Sequence, residues 1–170
     1  MMPKDNIGIG KNVIIGENVQ VGRNRLGRVG FTCGAFDLLH TGHALMLEEA
    51  AAQCDYLIVG IQSDPTIDRA GKNKPIQSYD ERVIMVKAIS YVSEVVLYDT
   101  EEDLVNLLKV IGPDVRIVGA DWCGKEFTGS DLPINIFFNS RNHSYSTSDL
   151  RLRVYEAELK KRYSPQRSSH

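Results

Sequence analysis

Phe31-Thr-Cys-Gly-Ala-Phe-Asp-Leu-Leu-His40-Thr-Gly-His43 carries the chain from an apolar strand into a helix, and the other motifs read as walls around that junction. Arg28 to Cys33 has the composition of a short buried strand, and Gly34 permits a tight exit. Ala44 to Gln53 sets Leu and Met on one side of a helix, with Glu48 and Glu49 on the other. His40 and His43 therefore stand at a helix N-terminus. Free backbone N–H groups and the positive end of the helix dipole favour phosphate there, and Gly42 lets a large anion approach the main chain. Two imidazole donors at that place suit a phosphoryl group whose charge changes during reaction. The rival readings are a histidine pair that only caps the helix and a zinc site. No Cys-x-x-Cys or third ligand accompanies the pair, so no metal-ligating residues are assigned.

The whole chain bounds the chemistry. Its 170 residues suit one domain, and 42% hydrophobic with 25% charged residues is ordinary globular composition. A formal net charge of −2 argues against a general nucleic-acid binder, and small anionic substrates fit better than polymers. No apolar run approaches the roughly 20 residues that cross a bilayer, and the N-terminus lacks the order of a signal peptide. A cytoplasmic protein with no membrane partner is expected. Cys33, Cys54 and Cys123 are odd in number and widely spaced, which suits reduced thiols.

Strands and helices alternate outward from the junction. Tyr56 to Ile61 is a continuous apolar, β-branched run, the mark of a strand covered on both faces. A polar loop from Thr66 to Pro75 carries Arg69, Lys72 and Lys74. Tyr79 to Tyr91 reads as a helix with Arg82 near its start, and Glu94 to Tyr98 as a third strand. Thr100-Glu-Glu-Asp103 opens a helix that Gly112-Pro113 ends. Asp114 to Ala120 and Ile134 to Asn139 supply two more strands, and Ser146-Thr-Ser-Asp149 caps a last helix to about Arg162. The expected fold is α/β, a Rossmann-like open parallel sheet with helices on both faces, its ligands beyond the carboxyl ends of the strands. Ahead of it, residues 7 to 22 repeat a six-residue phrase of Ile or Val, Gly, charged residue, Asn, Val. That phrase resembles the hexapeptide rungs of parallel β-helices, although such stacks need roughly three units. The domains expected are a β-rich N-terminal extension over 1–27, a catalytic domain over 28–163 and a polar tail over 164–170.

Gly34-Ala-Phe-Asp-Leu-Leu-His-Thr-Gly-His43 resembles the His-x-Gly-His signature of the nucleotidyltransferase superfamily, and most of all its cytidylyltransferase branch. Lys72-Asn-Lys-Pro-Ile-Gln-Ser-Tyr-Asp-Glu-Arg82 follows that branch's lysine loop and Glu-Arg helix start. Gly119-Ala-Asp-Trp-Cys-Gly-Lys125 is similar to a segment of glycerol-3-phosphate cytidylyltransferases. Arg141-Asn-His-Ser-Tyr-Ser-Thr-Ser148 keeps that family's arginine, spacing and Ser-Thr-Ser, and departs from it at Asn142 and Ser144. The likeness runs from about Val29 to Leu152 and leaves out the N-terminal repeat.

The resemblance implies an enzyme joining CTP to a small phosphorylated alcohol, with glycerol 3-phosphate as the best acceptor, releasing pyrophosphate with Mg²⁺ on the triphosphate. It assigns His40, His43, Lys72, Lys74 and Arg141 to catalysis, and which lysine takes the main phosphate role stays open. Gly34, Ala35, Phe36, Gly42, Gly119, Asp121, Ser146 and Thr147 go to nucleotide binding; Asp37, Arg82 and Trp122 go to the acceptor, with a structural role for Asp37 ranked above metal binding. His143 is read as a solvent-exposed loop residue. A homodimer is implied. Two alternatives are an ATP-dependent adenylyltransferase acting on a sugar phosphate, as heptose-phosphate adenylyltransferases do, and a non-catalytic nucleotide-binding or assembly module.

Overall fold

The computed structural model describes residues 27–163. All but the last residue of the expected N-terminal extension, and the whole polar tail, lie outside them. Five parallel strands form one sheet: β1 Val29–Gly34, β2 Tyr56–Gln62, β3 Glu94–Tyr98, β4 Val115–Gly119 and β5 Asn135–Asn139, in the spatial order β3-β2-β1-β4-β5. Four helices connect or follow them: α1 Thr41–Ala51, α2 Tyr79–Lys87, α3 Glu101–Ile111 and α4 Thr147–Tyr163. The chain winds from β1 outward to β3 and then returns to the other side of β1, so a topological switch point opens between the carboxyl ends of β1 and β4.

The period-two alternation of each strand builds two cores. Leu57, Val59 and Ile61 of β2 join Leu47 and Ala50 of α1 and Val86 of α2 on one face. Ile58 of the same strand joins Phe31, Val96 and Tyr98 with Leu104, Leu107, Leu108 and Ile111 of α3 on the other. Helices thus cover both faces, as the apolar strand runs require. The start of α3 follows from its sequence: Thr100 Oγ1 accepts the Asp103 N–H at 3.0 Å, and Asp103 returns the bond to Thr100 N at 3.0 Å. Its end needs a left-handed residue, and Gly112 supplies it at φ 52.

Three helix boundaries differ from expectation by two residues or more. α1 begins at Thr41, ahead of Ala44, because His40 and His43 cap it, and ends at Ala51, short of Gln53. α2 ends at Lys87 and the chain to Tyr91 continues as turns. The last helix differs in kind: α4 has no buried residue and leaves Leu152, Val154 and Tyr155 exposed. It meets the domain chiefly through its N-terminal turns, where Thr147 and Arg151 reach the β1–α1 loop.

Candidate active site

The chain leaves β1 through a loop whose strain falls on side-chain-bearing residues. Phe36 and Leu38 hold φ of 51 and 48, whereas Gly34, expected to make the turn, is not left-handed. Such conformations persist only where the surroundings over-determine them. Here Asp37 Oδ1 accepts the N–H groups of Ile76 at 3.0 Å and Gln77 at 2.9 Å, Gln77 Oε1 accepts the Leu38 N–H at 2.6 Å, and Phe36 is buried. Arg151 lies 3.4 Å from Asp37 Oδ2. Asp37 is thus a structural tie between this loop and residues 76 and 77, with little of its carboxylate left for an acceptor.

The two histidines form a reciprocal cap. His40 Nδ1 accepts the Gly42 N–H at 3.0 Å, and His43 Nδ1 accepts the His40 N–H at 3.3 Å. The two rings lie 4.0 Å apart between centroids, tilted by 34°, and the Phe36 ring lies 5.4 Å from His43. A backbone N–H can only donate, so each Nδ1 must be unprotonated and each neutral ring carries its proton on Nε2. His40 spends that proton on Thr147 Oγ1 at 3.2 Å, and the threonine hydroxyl in turn donates to Asp37 O at 3.5 Å. His43 Nε2 has no partner among the described residues. The two imidazoles thus differ in their surroundings: His40 Nε2 is engaged with Thr147, whereas His43 Nε2 is left for another acceptor. Gly42 lines the space beside these rings: its N–H is taken by His40, and a Cβ there would lie 2.9 Å from carbons of both the His40 and His143 rings, so a larger residue would force one of them to move.

Burial sets the protonation state. It pushes the His43 pKa down to about 4, helped by His40 and opposed by Asp37. His40 is lowered by burial first and then by its electrostatic interaction with His143 and Arg153. Both rings are neutral at pH 7, donors without charge.

Opposite α1, the segment after β5 supplies the remaining groups. Arg141 holds φ 44 and pairs with Asp121, which the short turn after β4 presents. Ser146 Oγ caps α4 by accepting the Asp149 N–H at 3.1 Å. His143, read from sequence as a solvent-exposed loop residue, is half-buried against Gly42 and Tyr145, with its Nδ1 buried and unpartnered among the described residues. Its loop gave no sequence signal for this, because the packing partner is a glycine a hundred positions away.

Two clefts open at the carboxyl ends of the strands. One, of about 510 Å³, lies between α1 and the 139–147 segment and is lined by His40, Gly42, Asn142, His143, Tyr145 and Thr147 among others. The other, of about 490 Å³, lies over the α3 side and takes in Gly34, Ala35, Lys72, Arg116, Trp122 and Phe127. His43, Met46, Gly119, Asn139 and Arg141 line both. The clefts therefore meet at a cationic and hydrogen-bond-donating junction built on the switch point.

Two further basic residues named from the sequence stand outside these clefts. Arg82 is 1% exposed and donates to Ala35 O at 2.7 Å, Gln62 O at 2.7 Å and Ser63 O at 2.6 Å. It fastens the ends of β1 and β2 and lines neither of the two clefts. Lys74 is exposed near Asp64 at 3.8 Å, whereas Lys72 lines the second cleft.

Residues 31–153 match the family described as Cytidylyltransferase-like. Among curated relatives, the bifunctional protein HldE of Campylobacter concisus is 37% identical over 132 residues, covering 77% of this chain and 28% of the relative. HldE of a Caulobacter species is 42% identical over 106 residues, covering 62% and 22%. HldE of Helicobacter pylori is 40% identical over 119 residues, covering 69% and 26%. The chain spans about a quarter of the length of these relatives. A solved lipopolysaccharide core biosynthesis protein from Thermoplasma volcanium shares the fold, with TM-score 0.57 and 23% identity over 71% of this chain and 99% of that one. With well over half of its length matched, and with the histidine pair, switch-point junction and parallel sheet in place, this chain belongs to the cytidylyltransferase-like family of nucleotidyltransferases.

Proposed function

We propose that the chain transfers an adenylyl group from ATP to a phosphorylated sugar and releases pyrophosphate. The observation that carries the reaction type is the meeting of two clefts at His43 and Arg141, because a two-substrate group transfer needs each reactant on its own side of one reacting centre. Similarity to proteins named HldE, at 37 to 42% identity, supports the adenylyl reading over transfer from CTP to glycerol 3-phosphate. The cytidylyl reading keeps one observation in its favour: Gly119-Ala-Asp-Trp122 borders the second cleft through Gly119 and Trp122.

The nucleotide takes the α1 cleft, its base against Tyr145 and the glycine-floored imidazoles. The acceptor takes the α3 cleft beside Trp122 and Lys72. An oxygen of the acceptor phosphate attacks the α-phosphorus, the bond from that phosphorus to the bridging oxygen breaks, and pyrophosphate leaves with the electron pair. No protein nucleophile is needed, so the chain contributes positioning and charge stabilisation. His43 Nε2–H donates to an α-phosphate oxygen as charge builds there, and His40 holds that ring in place through its own backbone N–H. Arg141 and Lys72 neutralise the reacting and leaving phosphates. Mg²⁺ would supply further neutralisation of the triphosphate. The donor set fits a metal that travels on the nucleotide: Asp37 is saturated, Asp121 is paired with Arg141, and no cluster of three His, Cys, Asp or Glu stands among the described residues.

Pyrophosphate release measured with ATP, CTP, GTP and UTP, each crossed with sugar 1-phosphates, glycerol 3-phosphate and ribitol 5-phosphate, tests the reading. The highest kcat/KM is expected for ATP with a sugar phosphate. A CTP and glycerol 3-phosphate optimum would restore the cytidylyl reading, and calorimetric nucleotide binding without release from any pair would make this a binding module.

A further inference from the structure

The middle of β4 holds a charge that no acid among the described residues neutralises. Arg116 interrupts the apolar run of Val115, Ile117 and Val118, and is 4% exposed. One terminal nitrogen donates to Thr128 O, the guanidinium lies 5.2 Å from the centroid of the Phe127 ring, and Nε is buried without a partner. Among the described residues no carboxylate pairs with it. Glu101, the acid that lines the same cleft, is already engaged: one oxygen lies 3.1 Å from Arg69 and the other accepts from Thr128 Oγ1. Arg141 has Asp121. A guanidinium withdrawn from water this far is ordinarily paired, because the attraction of a ring face and one carbonyl recovers only part of its lost hydration. The α3 cleft, which Arg116 lines and the α1 cleft does not share, is the place from which an anion can reach it.

The phosphate that reacts cannot be that anion. It must stand at the junction, where His43 and Arg141 face both clefts, whereas Arg116 belongs to the acceptor cleft alone. The geometry points to a second anion subsite, in which Arg116 binds a phosphate or carboxylate at the end of the acceptor remote from its reacting phosphate. The acceptor class is then a sugar phosphate bearing a further anionic group. Trp122 and Phe127, in edge contact at 6.3 Å, give the sugar between the two anions an aromatic wall. This assignment rests on the proposed placing of the acceptor in the α3 cleft, and it deepens that reading by naming what the acceptor must carry.

Calorimetric titration of the full chain, without nucleotide, with glucose 1-phosphate, glucose 1,6-bisphosphate and glucuronic acid 1-phosphate tests it. These probes differ only at C6, which is neutral, phosphorylated or a carboxylate. At least one of the two probes that are anionic at both ends is expected to bind about tenfold or more tightly than glucose 1-phosphate, the reach of one charge-assisted hydrogen bond. Whichever binds better tells phosphate from carboxylate. Arg116→Met, which keeps the stem against Phe127, is expected to abolish the difference, and Arg116→Lys to keep part of it. An arginine that merely braces the 127–129 turn would lower the melting temperature of Arg116→Met and leave the probe ranking untouched. Equal affinity of the unaltered chain for all three probes, or a preference that survives both substitutions, overturns the assignment. Because no turnover is measured, failure of the adenylyl reading appears only in the pyrophosphate assay and is separable from failure here.

Discussion

Arg82 separates two accounts of the basic residues around the lysine loop, and Arg82→Met is the substitution that decides between them. The side chain's length and apolar stem are retained while every donor is lost. Three carbonyls then lose their partners: Gln62 O in a buried residue, and Ala35 O and Ser63 O in half-buried ones. A buried unsatisfied carbonyl costs about 1–3 kcal/mol, and the half-buried pair recovers some of its loss through water. Removing a desolvated charge gives a little back, since only Asp37 and Asp64 face it as acids. The net expectation is about 3–4 kcal/mol of destabilisation, a fall in melting temperature of about 10–15 °C for a domain of this size. Thermal denaturation of both proteins, followed by kinetics well below the lower transition, reads it out. On the structural account kcat and both KM values stay within about threefold, because the ends of β1 and β2 are held again once the domain is folded at low temperature. A melting temperature unchanged within about 2 °C, together with an acceptor KM raised tenfold or more, would show that Arg82 contacts substrate and that its three carbonyl bonds are incidental.

Two further expectations concern the histidines. His43→Ala should lower kcat by about 10²–10³, or roughly 2.7–4 kcal/mol, the cost of one donor aimed at developing charge, and near-normal turnover in a folded variant would remove His43 from the mechanism. The same residue shapes acid stability. With a folded pKa of about 4 against an ordinary 6.5, the unfolded chain binds a proton between those values that the folded chain refuses. Stability therefore falls as pH drops through that window and is unaffected by His43 above it. Urea denaturation at pH 7 and pH 4.5 should show His43→Gln losing about 2–3 kcal/mol less than the unaltered chain over that interval; an identical loss in both would place the His43 pKa near its ordinary value.

The elements that sequence made legible are those whose signals are local. The run Tyr56 to Ile61 is apolar without alternation because α1 and α2 cover one face of β2 and α3 the other, and Thr100 with Asp103 closes its box within four residues. What local patterns do not encode is which long polar side chains turn inward. Arg82 sits in a helix start of ordinary surface composition, and its burial depends on carbonyls 19, 20 and 47 positions away. Phe36 and Leu38 carry no glycine-like mark, since the groups that hold them left-handed come from residues 76, 77 and 82. Arg116 did leave a trace, a charge inside Val115-Arg-Ile-Val118, and a buried strand that tolerates a guanidinium at its centre has a reason to keep it. The short apolar run alone gave no indication of which face it would take; the register that sets Ile117 against α1 and α2 sends Arg116 to α3.

The strand order then accounts for why the proposed reacting centre draws on groups so far apart in sequence. Between β1 and β4 the winding direction reverses, so the loop leaving β1 turns toward α1 on one face while the turn after β4 and the segment 123–131 fall over the other. A crevice that opens to both faces results, and only residues standing on its edge can address ligands from the two sides. His43 reaches that edge from the first turn of α1, and Arg141 from just beyond β5, with Thr147 tying His40 and the β1 loop into the same frame. The neutral imidazole follows from this placing: a buried ring against His40 and Phe36 is held uncharged at pH 7, yet its locked tautomer keeps a proton on Nε2. A group transfer between two anions needs such a donor, one that strengthens its bond as negative charge accumulates without itself gaining or losing a proton.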